Sequence, residues 1–574
     1  IYYDARQPSR LEELIATPCD DSMLARAETL TAELLRLGIT KYNCYTADSG
    51  LPDTLTARLH SDPRPKVLLI DQVAGDLSIP GALASEEDFV AMVAAARRNH
   101  PDARLLLRTH PDTRLGKKSG VLARLALDDV EVVAEHCHPH ALLNSVEAVY
   151  TVSSQMGFEA LLLGKAVHCF GMPFYAGWGL THDSKTCPRR QGPIALPQLV
   201  AAALILYPRY LDPILGQRCE VEQVLDIIAG QQSPAPRYRR LYMGFSLWKR
   251  AFMRAFCQPL AEELRFVRKL PETLADDEQV LVWGSRHPER QNAIRVEDGF
   301  IRSRGLGSNL CRPSSLSIDP VGIYFDSRRP SGLEQLLNQH ELTDQELARG
   351  ETLVDLLRQH GVSKYNVGTI KPFTPPADGR SLVLVVGQVD GDASILTGSP
   401  VIRSNEALLW AVRDARPEAH ILFKPHPDVV AGNRAGAISA ECLAHCVDSQ
   451  VLDLGLTSLY PHVDELHTMT SLSGFEALVQ GVNVTTWGQP FYSGWGLTED
   501  RHPAPRRQRP LPLAALVYLT LVAYPRYIDW QSGLWMSPEQ LIRQLAAQGH
   551  SSSQKASRWQ RWQLKLSYLA QTLR

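Results

Sequence analysis

A chain of 574 residues with 60 basic and 62 acidic side chains is nearly neutral; its charge does not point to a nucleic-acid partner, and its length is room for about three to four domains. Ten cysteines without a CxxC pair, in a chain this large, fit a reducing compartment better than a disulfide framework. The longest uncharged apolar stretches, 194–208 and 511–525, contain proline and fall short of the roughly 18–20 residues that cross a bilayer, so they are expected as buried helices of a cytoplasmic protein with no signal peptide before Ile1.

Residues 1–230 read as one α/β module. Short apolar runs (VLLI, ARLLLRT, EAVYTV, AVHCFG) alternate with amphipathic stretches such as DFVAMVAAARR, which predicts βαβ units and a parallel sheet. Two such halves are expected, one on each side of the strand that leads into HPD. Ligands of open α/β sheets sit at the carboxyl ends of strands, and the polar motifs follow strands. The first is QVAGDLSI, with Gln72, Asp76 and Ser78 around a tight turn at Gly75. Asp76 is either a turn cap or a reactive carboxylate. Next comes RTHPD, where Arg108 and His110 can stabilise negative charge on a leaving phosphate. Ser153, Ser154, Gln155 and Gly157 then open a helix. Free backbone N–H groups and hydroxyls there make an anion site or a plain N-cap. Glu159, one turn in, either accepts ribose hydroxyls or favours the helix dipole. PFYAGWGLT is a closing loop or a rigid turn. The HCHPH run at His136–His140 is packed too closely for an ordinary structural zinc site, and no metal is expected.

Residues 231–277 begin Pro-rich and become basic and aromatic (RYRRLYMGFSLWKRAFMRAF). They are expected as linker helices that bury their aromatics, or that dock on an anionic membrane surface. The tail, 551–574, has the same character.

Residues 278–550 repeat the first module. QVDGDASI carries Gln388, Asp392 and Ser394; KPHPD carries Lys424 and His426; TSLSGFEAL carries Thr470, Ser471, Ser473, Gly474 and Glu476; PFYSGWGLT and YPRY follow. The offset is 316 residues for Asp76/Asp392 and His110/His426, and 317 for Gly157/Gly474, Trp178/Trp495 and Tyr207/Tyr524. A period that long is a duplicated domain pair and not a solenoid. Upstream, IYYDARQPSRLEEL matches IYFDSRRPSGLEQL at Ile323. The second copy also has VLVWGSR and IRVEDGFIRSRGLGSN before this point. Glu297 and Asp298 are adjacent carboxylates suited to acid/base work if burial or mutual repulsion raises a pKa. The first copy has no counterpart, so the first module is expected to be truncated, and inactive or crippled, while the second works.

The order EDG, HP, Ser-rich helix start resembles bacterial CMP-sugar transferases of the GT-B type, sialyltransferases included. The duplicated set more narrowly resembles the KpsC-like, dual-module retaining β-Kdo transferases of capsule assembly. The resemblance implies two GT-B-like modules of Rossmann-like halves, the first truncated at its N-terminus. It implies CMP-β-Kdo as donor, no cofactor, and a phosphatidylglycerol-type glycolipid acceptor. In that family the N-terminal module makes the β-(2→4) linkage and the C-terminal one the β-(2→7) linkage. The implied nucleophiles are Asp392 and Asp76, since retention through a covalent intermediate needs a carboxylate. Glu297 with Asp298 would be the acid/base. His426, His110, Lys424, Arg108 and the Ser-rich helix starts would hold the CMP phosphate, and Glu476 and Glu159 the ribose. The expected surroundings are the inner-membrane surface and the capsule export machinery. Another CMP-sugar, or a non-catalytic polysaccharide-binding scaffold, are the alternatives.

Overall fold

Val67-Leu68-Leu69-Ile70 has no polar alternation, the pattern of a strand covered on both faces. Its alternate residues enter two separate cores. Leu68 and Ile70 pack with Ile15, Leu30 and Phe158; Val67 and Leu69 pack with Phe89 and Met92. A computed structural model of the chain describes residues 2–43, 50–109, 118–125, 127–232, 239–257, 264–271, 273–287, 289–290, 292–305, 310–366, 371–430 and 436–549. It divides into two units, Ile1–Pro234 and Ala235–Arg574.

The first unit is built on β1 (Lys66–Ile70), β2 (Arg104–Arg108), β3 (Val130–Val133), β4 (Ala148–Thr151), β5 (Ala166–Cys169) and β6 (His182–Asp183). They form one sheet, ordered β3-β2-β1-β4-β5-β6, with every pairing parallel. A small hairpin, β7 (Tyr210–Asp212) with β8 (Gln217–Cys219), follows. The order reverses between β1 and β4, and the loops after these two strands carry QVAGD and the Ser153–Ser154 helix start. The apolar stretch at 194–208 is helical, as expected: Leu196–Val200 runs on into Ala201–Leu206.

The second unit has two sheets. The first uses β9 (Arg239–Met243), β10 (Leu264–Val267), β11 (Glu278–Trp283), β12 (Ile294–Asp298) and β13 (Ser315–Asp319). The second uses β14 (Leu382–Val386), β15 (His420–Lys424), β16 (Ser449–Gln450), β17 (Glu465–Thr468), β18 (Asn483–Thr486) and β19 (Glu499–Asp500). The last strand, β20 (Pro525–Tyr527), returns to the first sheet. The orders are β10-β9-β11-β12-β13-β20 and β16-β15-β14-β17-β18-β19. The second is parallel and repeats the order of the first unit's sheet. The first turns antiparallel at β13 and β20.

Two expectations change. The halves divide ahead of β14, not at the strand leading into HPD, because β14, β15 and β17 share one sheet. Residues 231–277, expected as linker helices, contain β9, the helix Leu247–Cys257 and β10, which are integral to the first sheet. The basic and aromatic pattern has a plain cause. Phe252, Met253 and Phe256 of the helix are buried with Tyr242 and Trp283, so its aromatic face lies on a sheet. The expected tail helix, 551–574, lies outside the described residues. Among these no helix is long and apolar enough to cross a membrane.

One place in the two parallel sheets is filled differently. In the first unit His168 stacks on Tyr150, with centroids 4.2 Å apart, and on His182 at 4.5 Å, with His100 edge-on. The repeat sets Arg416, Glu465, His467, Thr485 and Glu499 at the matching positions, and there Arg416 pairs with Glu465 at 2.9 Å and Glu499 at 3.4 Å.

Candidate active site

In the second unit the carboxyl ends of both sheets line one cleft of about 970 Å³. On the first-sheet wall β12 ends in Glu297 and Asp298. Glu297 accepts a hydrogen bond from the Asp298 backbone N–H at 3.0 Å. Asp298 accepts one from Arg302 Nε at 2.6 Å, and Arg302 is 1% exposed. Burial, then the neighbouring Asp298 charge, pushes the Glu297 carboxyl up to about 7. The two adjacent carboxylates are therefore unlike: one is tied to a buried guanidinium, the other is poised to exchange a proton near neutrality. Lys249, from the helix Leu247–Cys257, places Nζ 3.4 Å from the Trp283 ring centroid, and burial lowers its pKa to about 8. Lys364 is the opposite case. Burial opposes its charge, but Tyr324, Tyr365, Asp298 and Glu297 outweigh that and hold it protonated.

The second-sheet wall carries the repeated motifs. Gly391, at φ +73°, turns the chain after β14, and Asp392 caps the short helix Ala393–Gly398. It accepts from the Ser394 N–H and hydroxyl, both at 2.9 Å, and is exposed. Lys424 is 9% exposed and donates to the Leu452 carbonyl at 3.4 Å; burial lowers its pKa to about 8. His426 Nδ1 accepts the Asp428 N–H at 3.1 Å, which leaves Nε2 as the protonated nitrogen of the neutral ring. Ser471 caps the helix Leu472–Val479 by accepting the Ser473 N–H at 3.2 Å. Glu476 accepts the Lys364 N–H at 2.9 Å and the Tyr460 hydroxyl at 3.4 Å; burial pushes it up to about 7.

Asp392, Glu297, Asp298, His426, Gln388, Ser394, Lys424, Thr470, Ser471, Ser473 and Glu476 all line this cleft. Two expected roles change. Gln388, 6% exposed, is a brace: its amide accepts the Thr470 N–H at 2.9 Å and donates to the Thr470 hydroxyl at 3.0 Å, and Thr470 donates on to Ser394. It locks the Asp392 loop to the Ser471 helix start, with its amide committed to protein partners. Gly474 serves the protein too. A Cβ there would lie 2.2 Å from the Tyr492 hydroxyl, which donates to the Ser471 carbonyl. That contact also decides the PFYSGWGLT motif. Tyr492 and Trp495 are fully buried, Trp495 Nε1 donates to Phe491 at 2.8 Å, and the Arg507 guanidinium binds the Ser493 carbonyl at 2.7 Å. It is a rigid turn beneath the helix start.

The first unit repeats these details. Asp76 accepts from Ser78 N–H at 2.9 Å, and Gln72 braces Ser153 at 2.8 and 2.9 Å. Ser154 accepts the Met156 N–H at 3.3 Å, while the Gln155 side chain makes no capping bond. A Cβ on Gly157 would meet the Tyr175 hydroxyl at 2.3 Å. Glu159 accepts the Lys41 N–H at 3.2 Å, and burial pushes it up to about 7. Arg108 departs from its expected phosphate role: it donates to the Glu135 carbonyl at 2.8 Å and the Val133 carbonyl at 3.4 Å, and so ties down the edge of β3. His110 lies outside the described residues. His138 of the HCHPH run caps the helix Pro139–Asn144 through Nδ1, and its Nε2 meets the Gly38 carbonyl at 3.0 Å. Among the described residues no group of three or more His, Cys, Asp or Glu is placed to hold a metal.

Two cleft residues escape the motif reading. Lys249 sits in the stretch read as a linker. Lys364 belongs to Ser363-Lys364-Tyr365-Asn366, repeated as Thr40-Lys41-Tyr42-Asn43 at an offset of 323 residues. Both asparagines take positive φ, 49° and 45°. That repeat was available as a signal.

A family described as capsule polysaccharide biosynthesis protein matches residues 21–210, 279–372 and 374–528. The chain is 42% identical over 551 residues to the capsule polysaccharide modification protein LipA of Neisseria meningitidis serogroup B (strain ATCC BAA-335 / MC58), covering 92% of this chain and 78% of that protein. Two solved structures from Thermosulfurimonas dismutans, described as KpsC, β-Kdo 2,7 transferase and KpsC, β-Kdo 2,4 transferase, are similar at 34% and 30% identity. Each match covers 54% of this chain and 99% of the other, with TM-scores of 0.45 and 0.48.

Proposed function

Since this chain belongs to the capsule polysaccharide biosynthesis protein family, we propose that its second unit is a retaining glycosyltransferase that moves Kdo from CMP-β-Kdo to a glycolipid acceptor. The observation that carries this reading is the cleft itself. It holds a proton-exchanging carboxylate on one wall and, on the other, an exposed carboxylate beside a histidine, a lysine and a hydroxyl-rich helix start. The motif resemblance supports Kdo as the sugar.

In the first step the Asp392 carboxylate attacks the anomeric carbon, the bond to the phosphate oxygen breaks, and CMP departs with that electron pair. His426 Nε2–H, the Lys424 ammonium and the helix start receive the growing phosphate charge. In the second step Glu297 takes the proton of the acceptor hydroxyl, whose oxygen attacks the same carbon and releases Asp392. Two displacements retain the configuration. Burial, then the neighbouring Asp298, keeps the proton affinity of Glu297 high.

The test incubates wild type and Asp392→Asn with CMP-β-Kdo. Wild type is expected to release CMP and to show one added Kdo by intact mass, and the variant to do neither. CMP release by the variant at the wild-type rate would remove Asp392 from the chemistry. Turnover of CMP-sialic acid but not CMP-Kdo by wild type would reassign the donor.

A further inference from the structure

Lys249 has no part in the steps above, yet it lines the cleft beside Glu297 and Asp298. Its ammonium lies over the Trp283 indole at 3.4 Å, a favourable place for a cation. Among the described residues it makes no hydrogen bond or ion pair. Glu297 and Asp298 attract its charge through space, without a hydrogen bond. Asp298 is bound by Arg302, Glu297 accepts a backbone N–H, and Arg286 donates to the Gly244 carbonyl at 3.2 Å. A half-buried ammonium with its three protons unassigned, held on an aromatic platform in a cleft, is poised to receive an anion.

We propose that Lys249, seated on Trp283, is the subsite for the carboxylate of an acidic acceptor sugar. This deepens the reading above and rests on it. The place of Lys249 selects the acceptor over the donor. The groups suited to the donor phosphate, His426, Lys424 and Ser471, belong to the second sheet, whereas Lys249 and Trp283 belong to the first, with the base that must touch the acceptor hydroxyl. A sugar acid whose hydroxyl reaches Glu297 therefore presents its carboxylate on the Lys249 side of the cleft. The subsite favours an acceptor ending in an acidic sugar over a neutral one, which is what chain extension by sugar acids requires.

The test measures binding and transfer separately. Equilibrium binding of an alkyl β-Kdo glycoside, and of its C1 carboxamide, is measured with CMP present for the full chain, Lys249→Met and Lys249→Arg. Wild type is expected to prefer the carboxylate by about 10- to 100-fold, the range of a hydrogen bond to a charged group. Lys249→Met is expected to lose that preference while binding the carboxamide and CMP as wild type does, and Lys249→Arg to keep most of it. In transfer, KM rises for the carboxylate acceptor more than for the carboxamide, and loss of the Lys249 charge beside Glu297 moves the acid limb up for both acceptors alike. Equal losses on both acceptors would make Lys249 only a tuner of Glu297 and overturn the proposal, as would an unchanged preference. Because binding is read without turnover, failure of wild type to consume CMP-Kdo sinks the donor assignment alone.

Discussion

Glu297 and Glu476 are both half-buried carboxyls pushed up to about 7 by desolvation, yet their surroundings give them different work. Glu476 is spent on the Lys364 N–H and the Tyr460 hydroxyl, and it anchors the SKYN turn to the helix Leu472–Val479. Glu297 faces the cleft beside Asp298, which Arg302 holds by a hydrogen bond. A base must be ionised to act, so transfer is expected to rise as pH passes through about 7 and to level off above it. Replacing Glu297 by Gln should remove that acid limb and lower kcat by about 10²- to 10⁴-fold, the usual yield of general base catalysis. A pH–rate profile of kcat decides it; an unchanged limb in the variant would assign the titration to another group. At Gly474 the expected effect is on the scaffold. Ala there drives a Cβ against the Tyr492 hydroxyl, which should cost about 1–3 kcal/mol by overpacking and weaken CMP binding by tilting the Ser471 helix start. Urea unfolding and CMP titration read the two effects together.

At the scale of elements, the helix Leu247–Cys257 carries two functions on two faces. Phe252 and Phe256 hold it on the first sheet, and Lys249 faces the cleft. Phe252→Ala should lose about 3–5 kcal/mol by emptying a core site, read as a lower urea midpoint of the second unit; a loss below 1 kcal/mol would mean that the aromatic face is not part of that core. This element also marks the limit of what the chain discloses. A helix lying on a sheet and a helix lying on a lipid surface share one pattern of aromatic and basic residues, so periodicity alone separates neither. The loops after β14, β15 and β17 were legible because the duplication held each at a constant offset. What the repeat did not disclose was direction. Gln388 recurs with Gln72 as faithfully as Asp392 does with Asp76, yet the glutamines point into the protein as braces while the aspartates face outward. Recurrence marks a residue that the fold needs as readily as one that a ligand needs.

On the scale of the whole molecule, each unit carries its own partly buried polar cluster at the same place in its parallel sheet, and the two titrate differently. Burial, then His182 and His100, push His168 down to about 4. The unfolded chain takes up that proton near 6.5, so its share of the first unit's stability is full above that and is lost as pH falls toward 4. In the second unit burial opposes ionisation of Glu465, but hydrogen bonds from His467, Thr485 and Arg416 pull it to about 2. That contribution is present above about 4.5 and is lost only as pH falls through about 2. Between pH 6.5 and 4.5 the first unit loses stability through His168 and His140 and regains part of it through Glu159. The second gains through Glu297 and Glu476, which are protonated in the folded chain below about 7 and in the unfolded chain only below about 4.5. The melting temperature of the second unit should therefore rise relative to that of the first, and calorimetry should show one transition moving away from the other. A single transition shifting as a whole would contradict this.

The same pair of clusters sets a rule of inheritance. Each is assembled from one helix end and three strands, so its members are mutually dependent and a change at one alters the value of the others. Carrying Arg416 alone into the place of His100 would set a guanidinium among rings without its carboxylate, and carrying His168 alone into the place of Thr485 would remove one hydrogen bond from Glu465, which keeps Arg416. The members are coupled, so the set passes between the copies with least loss as a block. Two repeats of one sheet thus fill the same place in alternative ways, and a chimera that moves the filling whole is expected to be more stable than one that moves a single member of it.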